Sequence, residues 1–120
     1  MAGVSAKSFD SPDETRTPDK TILSVVDLGG AKAARMELEP GWKWSECIKP
    51  IVGTDNCEMR HVGVVTQGRM HVQHNDGTGV DLGPGDAYLI EPGHDAWVTG
   101  NEPCVGYEFE SATAETFAKS

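Results

Sequence analysis

The sequence predicts an all-β barrel, and three observations carry that prediction. Fourteen glycines and 7 prolines fall among 120 residues, and all but one of the glycines lie between Gly29 and Gly106, so the chain is cut into short segments by turns. Between these glycines stand short runs rich in Val, Ile, Trp and Tyr, residues that suit a pleated, half-buried surface. One separator, Asn75-Asp76-Gly77-Thr78, joins two such runs with an Asp-Gly pair that tolerates the positive φ of a tight hairpin. A helical bundle does not fit this punctuation.

Taken in order, residues 1–20 hold four acids, three bases, Pro12, Pro18 and only scattered apolar residues, too few to offset the entropy of ordering them. They are expected to form a flexible N-terminal tail, with residues 21–120 as a single domain. Strands are expected over 21–27, 32–38, 42–48, 60–66, 69–74, 79–82, 87–91, 95–99 and 103–110, a number of short strands that suits a sandwich or barrel. The one helical stretch, 112–118, is rich in small residues and carries no chemistry.

Charge and cysteine use narrow the function. The formal net charge of −9 repels the phosphates of nucleic acids and anionic lipid surfaces. The apolar runs at 22–26 and 87–90 fall far short of the roughly 18 residues needed to cross a bilayer. The first ten residues lack the apolar core of a secretory signal, so the expected compartment is the cytoplasm. Three cysteines, Cys47, Cys57 and Cys104, make an odd count, better suited to reduced thiols or metal ligands than to a disulfide framework.

The segment Leu82-Gly83-Pro84-Gly85-Asp86-Ala87-Tyr88-Leu89-Ile90-Glu91-Pro92-Gly93-His94 resembles the second signature of the cupin superfamily. Pro40-Gly41-Trp42-Lys43-Trp44-Ser45-Glu46-Cys47-Ile48-Lys49 and His61-Val62-Gly63-Val64-Val65-Thr66-Gln67-Gly68 resemble the split halves of the first. The resemblance covers about residues 32–110 and implies a double-stranded β-helix, the jelly-roll-like cupin barrel, with a homodimer as the family's habit. It also implies a divalent metal held inside the barrel by three His and one Glu. This sequence departs from that set. The family register puts Cys47 and Lys49 in the paired His positions, His61 in the Glu position and Ala96 in the last His position, so the family's iron or manganese chemistry does not transfer.

The residues themselves offer a different set. Cys57 and His61 are four apart, and His94 precedes the strand expected at 95–99, so Cys57, His61 and His94 with Cys47 can converge at the barrel mouth. Thiolate and imidazole together favour zinc among divalent ions. The alternative is that the cysteines are small buried apolar side chains and His61 a hydrogen-bonded interior group. Alternation along 60–66 places His61, Gly63 and Val65 on one face, pointing inward if the family register holds. Lys49 suits either an anionic ligand or a solvated surface. Trp42 and Trp44 share a strand face by period two, fit for a barrel wall or for stacking on a flat ligand, and Trp44 is grouped with Lys49, His61 and His94 as candidate ligand contacts. His71 and His74 flank the hairpin on opposite faces and are expected at the surface. The leading functional reading is a small-molecule-binding protein with or without a metal, and the alternative is a metal-dependent enzyme acting on a small polar substrate. No catalytic residue is assigned.

Overall fold

Strand formation begins earlier than composition suggests. In the computed structural model, which describes residues 3–109, β1 (Glu14–Arg16) pairs antiparallel with β2 (Thr21–Asp27), within the segment expected to be a flexible tail. The Asp13 N–H donates to Val25 O at 2.9 Å, the Asp13 carboxylate accepts from Lys7 and from the Asp27 N–H, and the Phe9 ring lies 5.4 Å from that of Tyr107. Main-chain pairing on an open sheet edge needs no apolar side chains, so a polar segment joins the sheet.

The other strands follow the sequence pattern closely. β2 pairs with β3 (Lys32–Leu38), and β4 (His61–Gln67), β5 (Met70–His74), β6 (Gly79–Leu82), β7 (Ala87–Ile90), β8 (His94–Val98) and β9 (Cys104–Phe109) complete two antiparallel sheets. One sheet runs β1-β2-β3-β9-β4-β7 and the other β6-β5-β8. The hairpin at Asp76-Gly77 joins β5 to β6, with Gly77 at φ +96°. The core fills the space between the sheets, with Leu23, Ala34, Ile48 and Val65 almost fully buried.

One expected strand is absent. Residues 42–48 do not extend; instead α1 (Trp44–Cys47) and α2 (Lys49–Val52) make two helical turns, closed by Gly53 in the left-handed conformation at φ +80°. Trp44, Cys47 and Ile48 are all buried, and their spacing of three and four is the helical period. Trp42 is buried as well, so the two tryptophans reach the interior without sharing a strand face. β8 also begins one residue early, so His94 opens the strand instead of preceding it. The residues expected as the helix 112–118 lie outside the described residues. No described helix is long and apolar enough to cross a membrane.

Candidate metal centre

The centre is assembled from both sheets and one loop. β9, β4 and β7 are neighbours, and they contribute Glu108, His61 and Tyr88; β8 of the other sheet contributes His94. Cys57 arrives from the loop before β4 and is fixed by backbone pairing with the start of β8, its N–H donating to His94 O at 2.8 Å and its carbonyl accepting from the Gly93 N–H at 2.8 Å. Cys57, His61 and His94 are all buried, and their ligand atoms lie within 4.8 Å of one another. The two imidazole rings meet edge to face at a centroid distance of 5.2 Å.

The hydrogen bonds decide which ring nitrogens face this group. His94 Nδ1–H donates to Glu91 O at 2.9 Å, since a carbonyl can only accept, and its Nε2 is left as the ligand atom. His61 Nδ1–H donates to Glu108 Oε1 at 2.8 Å, and His61 Nε2 lies 3.4 Å from Cys57 Sγ. The other oxygen of Glu108 accepts from the Tyr88 hydroxyl at 2.7 Å. A metal-binding histidine characteristically donates its second N–H to a carboxylate or carbonyl, and both histidines meet that condition.

Electrostatics follow from the same contacts. Burial alone would lower the His61 pKa, but the buried Glu108 carboxylate and Cys57 outweigh it and raise the pKa to about 10. Burial would raise the Cys57 pKa, yet hydrogen bonds and charge from His61 and His94 bring it down to about 7. Burial and Glu108 push the Tyr88 phenol well above its ordinary value, which keeps the hydroxyl a donor. Without an ion, a proton on His61 thus faces a thiol inclined to ionise, and cation binding at such a set displaces protons.

Gly63 makes room for this arrangement. It pairs directly with Tyr88 on one side and Glu108 on the other, so the Tyr88–Glu108 hydrogen bond passes over a position without a side chain. A Cβ there would stand 2.8 Å from the Tyr88 hydroxyl and 2.9 Å from Glu108 Cγ, and would also collide with the Tyr107 carbonyl. Gly63→Ala is therefore expected to cost about 1–3 kcal/mol in urea unfolding, the usual range for overpacking. Gly100→Ala, where a Cβ would enter open space, should stay near wild type.

Beside the group lies a cavity of about 40 Å³, lined by His61, His94, Tyr88 and Glu108 on its polar side and by Met36, Leu38, Trp42, Trp44, Val65 and Met70 among its apolar walls. That volume holds about three waters. Cys57 is not among the lining residues.

The other sequence candidates lie elsewhere. Cys47 is not part of the cluster: α1 turns its thiol toward the Asp19 carboxylate, 3.7 Å away, and burial raises its pKa. Lys49 opens α2 with its side chain partly exposed and 3.7 Å from Asp55, and it does not line the cavity. Both positions follow from the helical turns that replace the expected strand. Trp44 does line the cavity. His71 and His74 stand apart, bonded to Asp81 and to Pro92 O. Glu108 and Tyr88 carry no site signal in the sequence beyond the alternation along 103–110 that puts Glu108 on the same face as Cys104 and Gly106, whereas Trp42, expected as a barrel-wall or stacking residue, does line the cavity.

No protein-family model and no curated protein sequence matches this chain. Solved structures do. A cupin domain from Bordetella pertussis Tohama I superposes with a TM-score of 0.51 at 21% identity, covering 76% of this chain and 92% of that one. The polyketide cyclase RemF from Streptomyces resistomycificus gives 0.62 at 15% identity, covering 88% of this chain and 78% of RemF. An oxalate decarboxylase from Lactobacillus farciminis, solved as a formate complex, gives 0.58 at 18% identity over 80% of this chain; the match spans only 30% of the decarboxylase. At these identities the likeness establishes the fold.

Proposed function

We propose that this chain, whose fold is the double-stranded β-helix of the cupins, binds one divalent metal ion through Cys57, His61 and His94 and offers it to a small molecule in the barrel cavity. The observation that carries this reading is the orientation of the two histidines. Each has its Nδ1–H engaged, one by Glu108 and one by Glu91 O, which turns each Nε2 toward Cys57, where the three ligand atoms gather. One thiolate and two imidazoles favour a borderline-soft ion, zinc above all. Three protein ligands beside an open cavity is the pattern of a site that keeps a coordination position for a small molecule, whereas closed structural sites use four. Bound there, the ion would supply a positive, Lewis-acidic anchor for an oxygen of that molecule.

The chain's own groups favour binding over turnover. Both Glu108 oxygens are engaged, by His61 and by Tyr88, and Cys57 is not among the residues that line the cavity. Among the described residues the site thus presents neither an open carboxylate base nor a thiol nucleophile to a ligand. The neighbours named as a decarboxylase and a cyclase keep a metal-dependent enzyme as the second reading, in which the same cavity would hold the substrate.

Cobalt(II) substitution tests the donor set. Loading the protein with cobalt should give a thiolate charge-transfer band together with intense visible absorption of a four-coordinate ion, and Cys57→Ser should abolish the charge-transfer band. Retention of that band in Cys57→Ser would reject the site as drawn.

A further inference from the structure

We infer that ions and small molecules reach the buried site through a groove that opens between the edges of β6 and β7, and that the Ile90 side chain is the partition between this groove and the cavity. The inference deepens the reading above and rests on it for what travels. Cys57, His61 and His94 are 2%, 4% and 3% exposed, so an ion needs a path through the barrel wall to reach them.

The topology supplies that path. β6 ends one sheet and β7 ends the other, and among the described residues no strand pairing joins the two edges. Between them lies a groove of about 270 Å³, ample for an ion that arrives with its waters. Its lining includes Val72, which is buried in the core, so the groove reaches into the space between the sheets. Along one face of β5, Met70 lines the cavity while Val72 and His74 line the groove, so the two spaces are successive stretches of the same interior. Ile90 lines both.

Strand register ties the partition to the site. Ile90 stands directly opposite His61 in the β4–β7 pair, and His74 directly opposite His94 in the β5–β8 pair. Opposed residues of an antiparallel pair share a face with Cβ atoms about 5 Å apart, so Ile90 and His74 each flank one of the two imidazoles. His74 is tied down, its Nε2–H donating to Pro92 O at 2.8 Å and its Nδ1 accepting from the Asp76 N–H at 3.0 Å. Ile90 has no polar atom to anchor its side chain and stands on an edge strand, which makes it the movable part of the wall. Asp76 and Glu91 also line the groove, and their charge draws a cation toward it, with Arg60 offsetting Glu91 in part at 3.2 Å.

The test is kinetic and uses the full-length chain. In stopped-flow mixing, the rate of cobalt(II) uptake and the rate of its loss to excess chelator are measured for wild type and three variants. Val80 is 46% exposed on the groove wall, so Val80→Trp covers the opening without touching the core. It should slow uptake and loss alike by about tenfold and leave their ratio, the affinity, in place, as a narrowed route must. Ile90→Ala thins the partition and should speed both rates by a similar factor. Leu23→Ala is the control for general loosening, since Leu23 is fully buried and lines neither space, and it should exchange cobalt at the wild-type rate. A second arm needs no metal: Cys104 is buried and lines the cavity, and its alkylation by iodoacetamide in the metal-free proteins, followed by peptide mass, should show the same order of rates. Wild-type rates in Val80→Trp, a surface variant expected to fold, would overturn the inference, as would equal acceleration in Leu23→Ala and Ile90→Ala. Protein that takes up no cobalt yet keeps the order of Cys104 rates would retain the route and remove the metal reading. Tight cobalt binding with rates indifferent to both groove variants would do the reverse.

Discussion

Glu108→Ala should lower the unfolding free energy of the metal-free protein by about 3–5 kcal/mol, the range for breaking a buried charged pair from one side. Glu108 is buried in β9, and its two oxygens hold the two donors at the heart of the site, His61 Nδ1–H at 2.8 Å and the Tyr88 hydroxyl at 2.7 Å. Truncation removes both acceptors at once and leaves two buried donors and a vacated volume. The imidazolium of His61 also loses the carboxylate that holds its pKa high, so its proton is destabilised in the folded state. Glu108→Gln keeps the shape and one good acceptor, and should recover part of the loss. Urea unfolding of the three proteins in the presence of a chelator checks this; equal midpoints for wild type and Glu108→Ala would mean that the buried pair contributes nothing to the fold.

His61→Ala should reduce metal affinity enough that bound ion falls below about a tenth of the wild-type level when chelator competes, because a three-ligand site loses both a ligand and its link to Glu108. Glu108→Gln leaves all three ligands in place and should cost about 10–100-fold in affinity, the usual effect of loosening the group that orients a metal-binding imidazole. His71→Ala is the control, since His71 is bonded to Asp81 and Gln73 on the other sheet and takes no part in the cluster. Chelator competition read by absorbance orders the four proteins. Wild-type affinity in His61→Ala would remove His61 from the site.

Much of this was legible in the sequence, for physical reasons that also explain the failures. Glycine at a turn is a local property, so the Asp76-Gly77 hairpin and the strands around it could be read from neighbours alone. Alternation along β4 likewise put His61 on the face of Val65, and both are buried. Local pattern misled at residues 44–52, where Trp42 and Trp44 suggested period two although the buried set of Trp44, Cys47 and Ile48 has the helical period. The family register, counted along the same segment, is what placed Cys47 and Lys49 in the candidate site, and the helical turns take both away from it. The pairing of residues 14–16 has no sequence signal, because backbone hydrogen bonds to a sheet edge leave no trace in composition. Glu108 was hidden for another reason: one acid among 19 Asp and Glu is unremarkable until β9 is seen beside β4, with Gly63 between Glu108 and Tyr88. The orphaned N–H of Trp42 is a property of the assembled core and has no sequence signal.

The central claim, a divalent ion held by Cys57, His61 and His94, meets its most direct test in native mass spectrometry of the untagged protein after incubation with one equivalent of zinc. The account predicts a species heavier than the chain by one zinc ion, lost on adding chelator and absent from Cys57→Ser. A wild-type protein that stays at its metal-free mass, or a Cys57→Ser protein that holds zinc as tightly as wild type, would contradict it.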